Sequence, residues 1–154
     1  MTERFFEDFE VGQKFHSGAY EVTAEAIKAF AEQFDPQPFH LDEEAAKKSH
    51  FKGLAASGWH TAAIVMRLLV TSDLKIAGGT IGGGAEDLRW PRAVRPGDGL
   101  RLEAEVMEKR RSRSRPDLGI VKVRLTTVNQ ANEPVQISTP ALMVPTRNPA
   151  GTDD

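Results

Sequence analysis

The stretch Phe34-Asp35-Pro36-Gln37-Pro38-Phe39-His40-Leu41-Asp42 sets a carboxylate and an imidazole on either side of a proline-flanked glutamine. The two prolines stiffen the backbone, so Asp35 and His40 can converge on one point with little ordering entropy left to lose. A carboxylate and an imidazole sharing one water suit proton transfer, one group accepting while the other donates. A plainer reading also fits: a loop after a helix, with Asp35 as a cap and His40 as a satisfied surface residue. Spacing alone does not choose, because short Asp…His pairs are common by chance.

A second segment, Phe51-Lys-Gly-Leu-Ala-Ala-Ser57-Gly58-Trp59-His60, leads into an apolar run. A glycine that opens a helix leaves its N–H free at the positive end of the helix dipole. Gly58 is therefore a candidate oxyanion donor. Taken by itself, Ser57-Gly58 reads better as a cap and a tight packing point.

These residues need elements to hold them. After a loop-rich lead-in over 1–12, a first strand is expected over Lys14–Val22. Thr23 is a good N-cap, and Ile27, Phe30, Ala31 and Phe34 follow at helical spacing, predicting a helix over 24–34. Asp35-Pro36-Gln37-Pro38 must end it. A short helix restarts through Glu43–Lys48. The next helix should run from Gly58 to about Ser72, with His60, Arg67 and Thr71 as a narrow polar stripe on an otherwise apolar cylinder. Such a helix is expected to be enclosed on several sides.

Beyond it the period changes to two. Leu100, Leu102, Ala104 and Val106 alternate with charges, as do Val121, Val123 and Leu125, and then Val135, Ile137 and Thr139. Pro140 should mark an edge or a bulge. With a shorter run near Glu86–Pro91, these strands predict an antiparallel meander. The glycines at 78, 79, 82, 83 and 84 lack any phosphate-loop or dinucleotide context and predict a mobile loop. The sum is an α+β fold, an antiparallel sheet wrapped around one long central helix, in a single domain over 1–147 with a disordered tail at 148–154. A single curved sheet leaves edges, so pairing with a second copy is expected.

Taken together, the two segments resemble the MaoC-like dehydratases and (R)-specific enoyl-CoA hydratases. The likeness rests on Asp35-x-Gln37-Pro38-Phe39-His40-x-Asp42, on a helix opened by Gly58 at the matching distance, and on Leu88-Arg-Trp-Pro-Arg-Ala-Val-Arg-Pro-Gly-Asp ahead of a long strand. It runs from about Phe6 to Thr146. The resemblance implies a hot dog fold and a homodimer or higher homo-oligomer. It also implies an acyl-CoA or acyl-carrier thioester as substrate, with no metal or redox cofactor beyond the coenzyme A of the substrate itself. It makes Asp35 and His40 the catalytic pair and Gly58 the oxyanion donor. Gln37 and Ser57 would serve substrate binding, Gln37 orienting the loop rather than reacting. The expected reaction is reversible hydration of a trans-2-enoyl thioester to a (3R)-hydroxyacyl thioester. A hot dog thioesterase and a non-catalytic acyl-thioester-binding subunit are the alternatives.

Three departures from the family pattern bear on acyl specificity. Gln37 stands where the family usually has Asn, Gln33-Phe34 replaces Ser-Gly before the aspartate, and Met66 stands where some members carry a serine.

Composition narrows the field further. The 154 residues carry 20 basic and 22 acidic side chains, a formal charge of −2 that gives no overall field for nucleic acid or an anionic membrane. There are no cysteines, which excludes disulfides, thiol nucleophiles and zinc–thiolate sites. The charged start and the shortness of the apolar stretch 62–70 predict a cytoplasmic protein that does not span a membrane. Lys109, Arg110, Arg111, Arg113 and Arg115 crowd a predicted hairpin tip. A solvated turn is favoured there over contact with coenzyme A phosphates.

Overall fold

Thr23 starts the first helix as its chemistry dictates, its hydroxyl accepting from the Ala26 N–H at 3.1 Å, and α1 runs over Ala24–Phe34. The computed structural model describes residues 2–149. Beyond α1 the prolines stop the helix, and then one of them starts another. Pro38 opens the single turn α2 (Pro38–Leu41), which was not anticipated; proline is favoured at a first helical position because its fixed φ suits the helix and its missing N–H costs nothing there. Asp42 then caps α3 (Glu43–Lys47) by accepting from the Glu44 N–H at 2.9 Å. The long helix α4 covers Gly58–Val70.

Six strands follow the chain as β1 (Lys14–His16), β2 (Tyr20–Glu21), β3 (Ile81–Arg89), β4 (Gly99–Arg111), β5 (Leu118–Val128) and β6 (Pro134–Pro145). They form one antiparallel sheet in the order β1-β4-β5-β6-β3, with β2 also on β4. The expected first strand is thus broken in two at Ser17-Gly18-Ala19. The meander holds for β4–β6 only, because β3 pairs with β6 rather than with β4. Residues 90–98 carry the chain from one side of the sheet to the other, past the start of α4, where the Ala56 N–H donates to Val94 O at 2.9 Å.

The sheet curls around α4, the hot dog arrangement. Ile64, Val65, Leu68 and Leu69 share one core with Leu100, Leu102, Ala104 and Val106 of β4 and with Val121, Val123 and Leu125 of β5. Each such side chain contributes about 1.5–3 kcal/mol on full burial. The described residues leave the opposite side of α4 open. Trp59, Met66 and Val70 lie 61%, 47% and 43% exposed, while His60, assigned to a polar stripe, is only 7% exposed.

Two further expectations change. Residues 1–12 are more than a lead-in, since a 3-10 turn at Phe6–Asp8 sets Phe6 and Phe9 in the core. The Phe6 ring lies against Gly119, where a Cβ would come within 2.1 Å of it. The glycine-rich segment is a strand rather than a loop over its second half. Gly78 and Gly79 turn with positive φ, but Gly82, Gly83 and Gly84 belong to β3, which shifts register between Gly82 and Ala85. Pro140 sits inside the internal strand β6, opposite Ala85. The β5–β6 pairing lapses there, between Lys122↔Ala141 and Leu125↔Ser138.

Of the predicted tail, Asn148 is tied down, its N–H donating to Glu7 Oε2 at 2.7 Å. Residues 150–154 lie outside the described residues. Among the described residues no helix is long and apolar enough to cross a membrane.

Candidate active site

Asp35 is the C-cap of α1, its N–H reaching Ala31 O at 2.9 Å, and the next turn closes as the Gln37 N–H donates to Asp35 O at 2.8 Å. This puts α2 directly beside the end of α1. One turn of helix then carries His40 inward until it is 4% exposed. Its Nε2 lies 3.3 Å from Asp35 Oδ2. The structure therefore brings together the two residues the sequence singled out.

The far side of the imidazole is also committed. His40 Nδ1 lies 2.6 Å from the Ala55 carbonyl oxygen. A carbonyl only accepts, so the hydrogen-bond network assigns a proton to Nδ1. Nε2 is then free to exchange a proton with a group that reaches both it and the carboxylate. The ring is held edge-on by Phe39 at 4.6 Å and flanked by Phe51 at 6.0 Å.

Three groups act on the Asp35 carboxyl. Burial pulls its pKa up, but hydrogen bonds from Ser57 and Gln37 and the charge of His40 outweigh that, leaving it below the ordinary aspartate value. Gln37 Nε2 donates to Oδ1 at 2.5 Å. Ser57 is fully buried, and its hydroxyl oxygen also accepts from the Trp59 N–H at 3.2 Å. Ser57, expected to serve substrate binding, caps α4 and reaches the Asp35 carboxyl. Gln37 likewise orients Asp35.

Gly58 opens α4, so its N–H has no intrahelical acceptor by position and lies at the positive end of the helix. Glycine is required here for space, because a Cβ would meet the Trp90 ring at 2.8–2.9 Å. Trp90 is anchored by its Nε1, which donates to Gln136 Oε1 at 2.8 Å. His40, Gly58, Trp90, Phe51, Thr61 and Val94 line one cavity of about 240 Å3. Neither Phe51 nor Trp90 was singled out from sequence. Their only signal was an aromatic ring next to a glycine-rich or proline-rich linker.

A larger hollow of about 380 Å3 opens among His16, Arg101, Glu103 and Asn132. It holds neither Asp35 nor His40, and its polar groups already pair, His16 with Glu103 at 3.3 Å and Arg101 with Asn132 at 2.7 Å. The chemistry points to the smaller cavity.

His60 is buried beside the site, stacked on Phe30 at 4.8 Å with its Nδ1 unpartnered, and burial pushes its pKa down. Of the basic residues near 110, Lys109 and Arg111 are drawn into the fold, while Arg110, Arg113 and Arg115 stay exposed as a solvated turn would leave them. Lys109 donates to Phe9 O at 2.8 Å, Arg111 pairs with Glu7 at 3.7 Å, and Arg115 grips Asp117. Among the described residues no three His, Cys, Asp or Glu side chains converge to hold a metal ion.

Known proteins bear on this geometry. Residues 8–129 match the family described as MaoC like domain. The uncharacterized protein YdeM of Bacillus subtilis is 37% identical over 126 residues, covering 80% of this chain and 86% of its own. The MaoC-like dehydratase from Rhodospirillum rubrum superposes with a TM-score of 0.90 at 57% identity, over 94% of this chain and 99% of its own. R-hydratase PhaJ1 from Pseudomonas aeruginosa, unliganded, gives a TM-score of 0.76 at 28% identity, over 93% and 86%.

Proposed function

The chain belongs to the MaoC-like domain family, and from that premise we propose that it catalyses reversible hydration of a trans-2-enoyl thioester to a (3R)-hydroxyacyl thioester. The acyl group would be carried on coenzyme A or a carrier protein. The observation that carries this reading is the 3.3 Å approach of His40 Nε2 to Asp35 Oδ2, with His40 and Gly58 lining one cavity. The R outcome is carried over from the R-hydratase neighbour.

In the proposed reaction one water hydrogen-bonds to both the carboxylate and Nε2, at the apex of a triangle whose base is their 3.3 Å approach. Its hydroxyl adds to Cβ of the enoyl group, and the proton placed on Cα passes through the same two groups. Negative charge that develops on the thioester oxygen meets the Gly58 N–H and the positive end of α4, where fixed dipoles need no reorganisation. Addition of water transfers no electrons, so the reaction asks for no redox cofactor.

The reading includes a homodimer. Among the described residues β3 has no strand on its outer edge, and Ile81 on it is 59% exposed; Phe34, Trp59, Met66 and Trp90 are further exposed apolar groups, of which Trp90 lines the cavity. A second copy covering these groups would also shut the cavity from water. Sedimentation should give twice the chain mass, and Trp59→Asp should shift it towards monomer.

The activity is tested by incubating the protein with short and medium trans-2-enoyl-CoAs and following loss of the conjugated chromophore. Turnover of at least one is expected. Release of free thiol instead would mark thioester hydrolysis.

A further inference from the structure

We propose that Arg95 is a positioning residue for His40, acting through the backbone of residues 51–55. The guanidinium touches neither member of the pair. Its Nη1 donates to Gly53 O at 2.8 Å and Leu54 O at 3.3 Å, and its Nη2 donates to Phe51 O. Three carbonyls within four residues are thus turned towards one cation. The next carbonyl in the chain, Ala55 O, is the one that accepts from His40 Nδ1.

The clamp acts on His40 in two ways. By fixing where residues 51–54 run, it sets the carbonyl that decides which ring nitrogen carries the proton. By holding the Phe51 main chain, it also keeps the Phe51 ring against the imidazole. Both ends of the segment are secured independently, its start by the Phe51 N–H donating to Ser49 Oγ at 3.1 Å and its end by the Ala55 N–H donating to Phe39 O at 3.3 Å and the Ala56 N–H to Val94 O at 2.9 Å.

Arg95 is itself pinned. Its N–H donates to Asp98 Oδ2 at 2.8 Å, and Asp98, 6% exposed, accepts from Gln130 Nε2 through its other oxygen at 3.0 Å. The fork geometry is what the site uses, since a planar guanidinium presents several donors in fixed directions and an ammonium acts as a single point charge. A lysine has three donors on a single nitrogen, so it does not reproduce carbonyls divided between two guanidinium nitrogens.

The kinetic side of this inference rests on the proposed hydratase reading; the ring-nitrogen side does not. Arg95→Gln, Arg95→Lys and Arg95→Ala are compared with the unchanged protein. Long-range proton–nitrogen correlation spectra at mildly alkaline pH read the His40 ring, assigned by its absence in His40→Gln. The unchanged protein should show His40 protonated on Nδ1, and all three variants should lose that single tautomer. On an enoyl-CoA substrate kcat should fall by about 100-fold, the scale of a small misplacement of a reacting group. KM should stay within about threefold, because substrate contacts are untouched.

A folded Arg95→Gln protein that keeps the Nδ1 tautomer and its kcat would overturn the proposal. If the larger truncations fail to fold, Arg95→Lys decides, since a role that only needs positive charge predicts an unchanged His40 spectrum there. If the unchanged protein hydrates no enoyl thioester, the functional reading fails while the spectra still decide the role of Arg95.

Discussion

His40 faces Asp35 through Nε2 at 3.3 Å because its other nitrogen is engaged 2.6 Å away by the Ala55 carbonyl. The imidazole therefore presents the carboxylate with the nitrogen whose protonation can change. Asp35, held ionised by Ser57 and Gln37, supplies the partner.

Removing Gln37 from this arrangement has a predictable direction. Burial raises the Asp35 pKa, and the Gln37 hydrogen bond is one of the contacts that bring it below the ordinary value. A depressed carboxyl pKa stabilises the fold above the unfolded-state value and loses that contribution as pH falls through the folded value. Gln37→Ala should therefore move the acid limb of both stability and kcat/KM to higher pH. Unfolding and rate profiles measured from neutral pH downwards check this. An unmoved limb would remove Gln37 from the account.

Gly58 is predicted to resist even the smallest side chain. A Cβ there would lie 2.8–2.9 Å from the Trp90 ring, so Gly58→Ala must displace the indole or the start of α4. The expected cost is about 1–3 kcal/mol, typical of overpacking. Thermal melts should show the cost shrinking when Trp90→Ala is already present. Equal losses in the two backgrounds would mean that the indole is not the obstacle.

His60 should make the protein acid-sensitive. Its pKa is lowered by burial, so the unfolded chain takes up a proton that the folded one refuses. More protons bound in the unfolded state means stability falls as pH drops through about 6.5 and below. His60→Phe keeps an aromatic ring against Phe30 and deletes the titration. The melting temperature of the variant should fall less than that of the unchanged protein between mildly alkaline and mildly acidic pH. Parallel losses would place the acid sensitivity elsewhere.

Much of this site was legible because it depends on local signals. Thr23 marked the start of α1, the prolines marked its end, and Asp35 and His40 stood out by residue type. What hid was what long-range contacts decide. Nothing local says that α2 turns His40 inward, that Ser57 faces Asp35, or that a backbone carbonyl fixes the His40 tautomer. Gly82–Gly84 read as loop because glycine weakens a strand on its own, yet β3 pairs with β6 on either side of Gly83 and Gly84, at Gly82 and at Ala85. The apolar girth of α4 predicts enclosure on several sides, and within this chain Trp59, Met66 and Val70 remain open. Phe6 fits in the core because β5 offers Gly119 as a seat, and Phe9 packs edge-on against Phe15.

The central claim is that Asp35 and His40 act on one water at an enoyl thioester. The most direct measurement compares the unchanged protein with Asp35→Asn on the enoyl-CoA it hydrates fastest. Loss of the carboxylate should lower kcat by about 10²–10⁴-fold, the usual contribution of general acid–base catalysis, with melting temperature and oligomeric state preserved. A folded Asp35→Asn protein that hydrates the same substrate at an undiminished rate would contradict it.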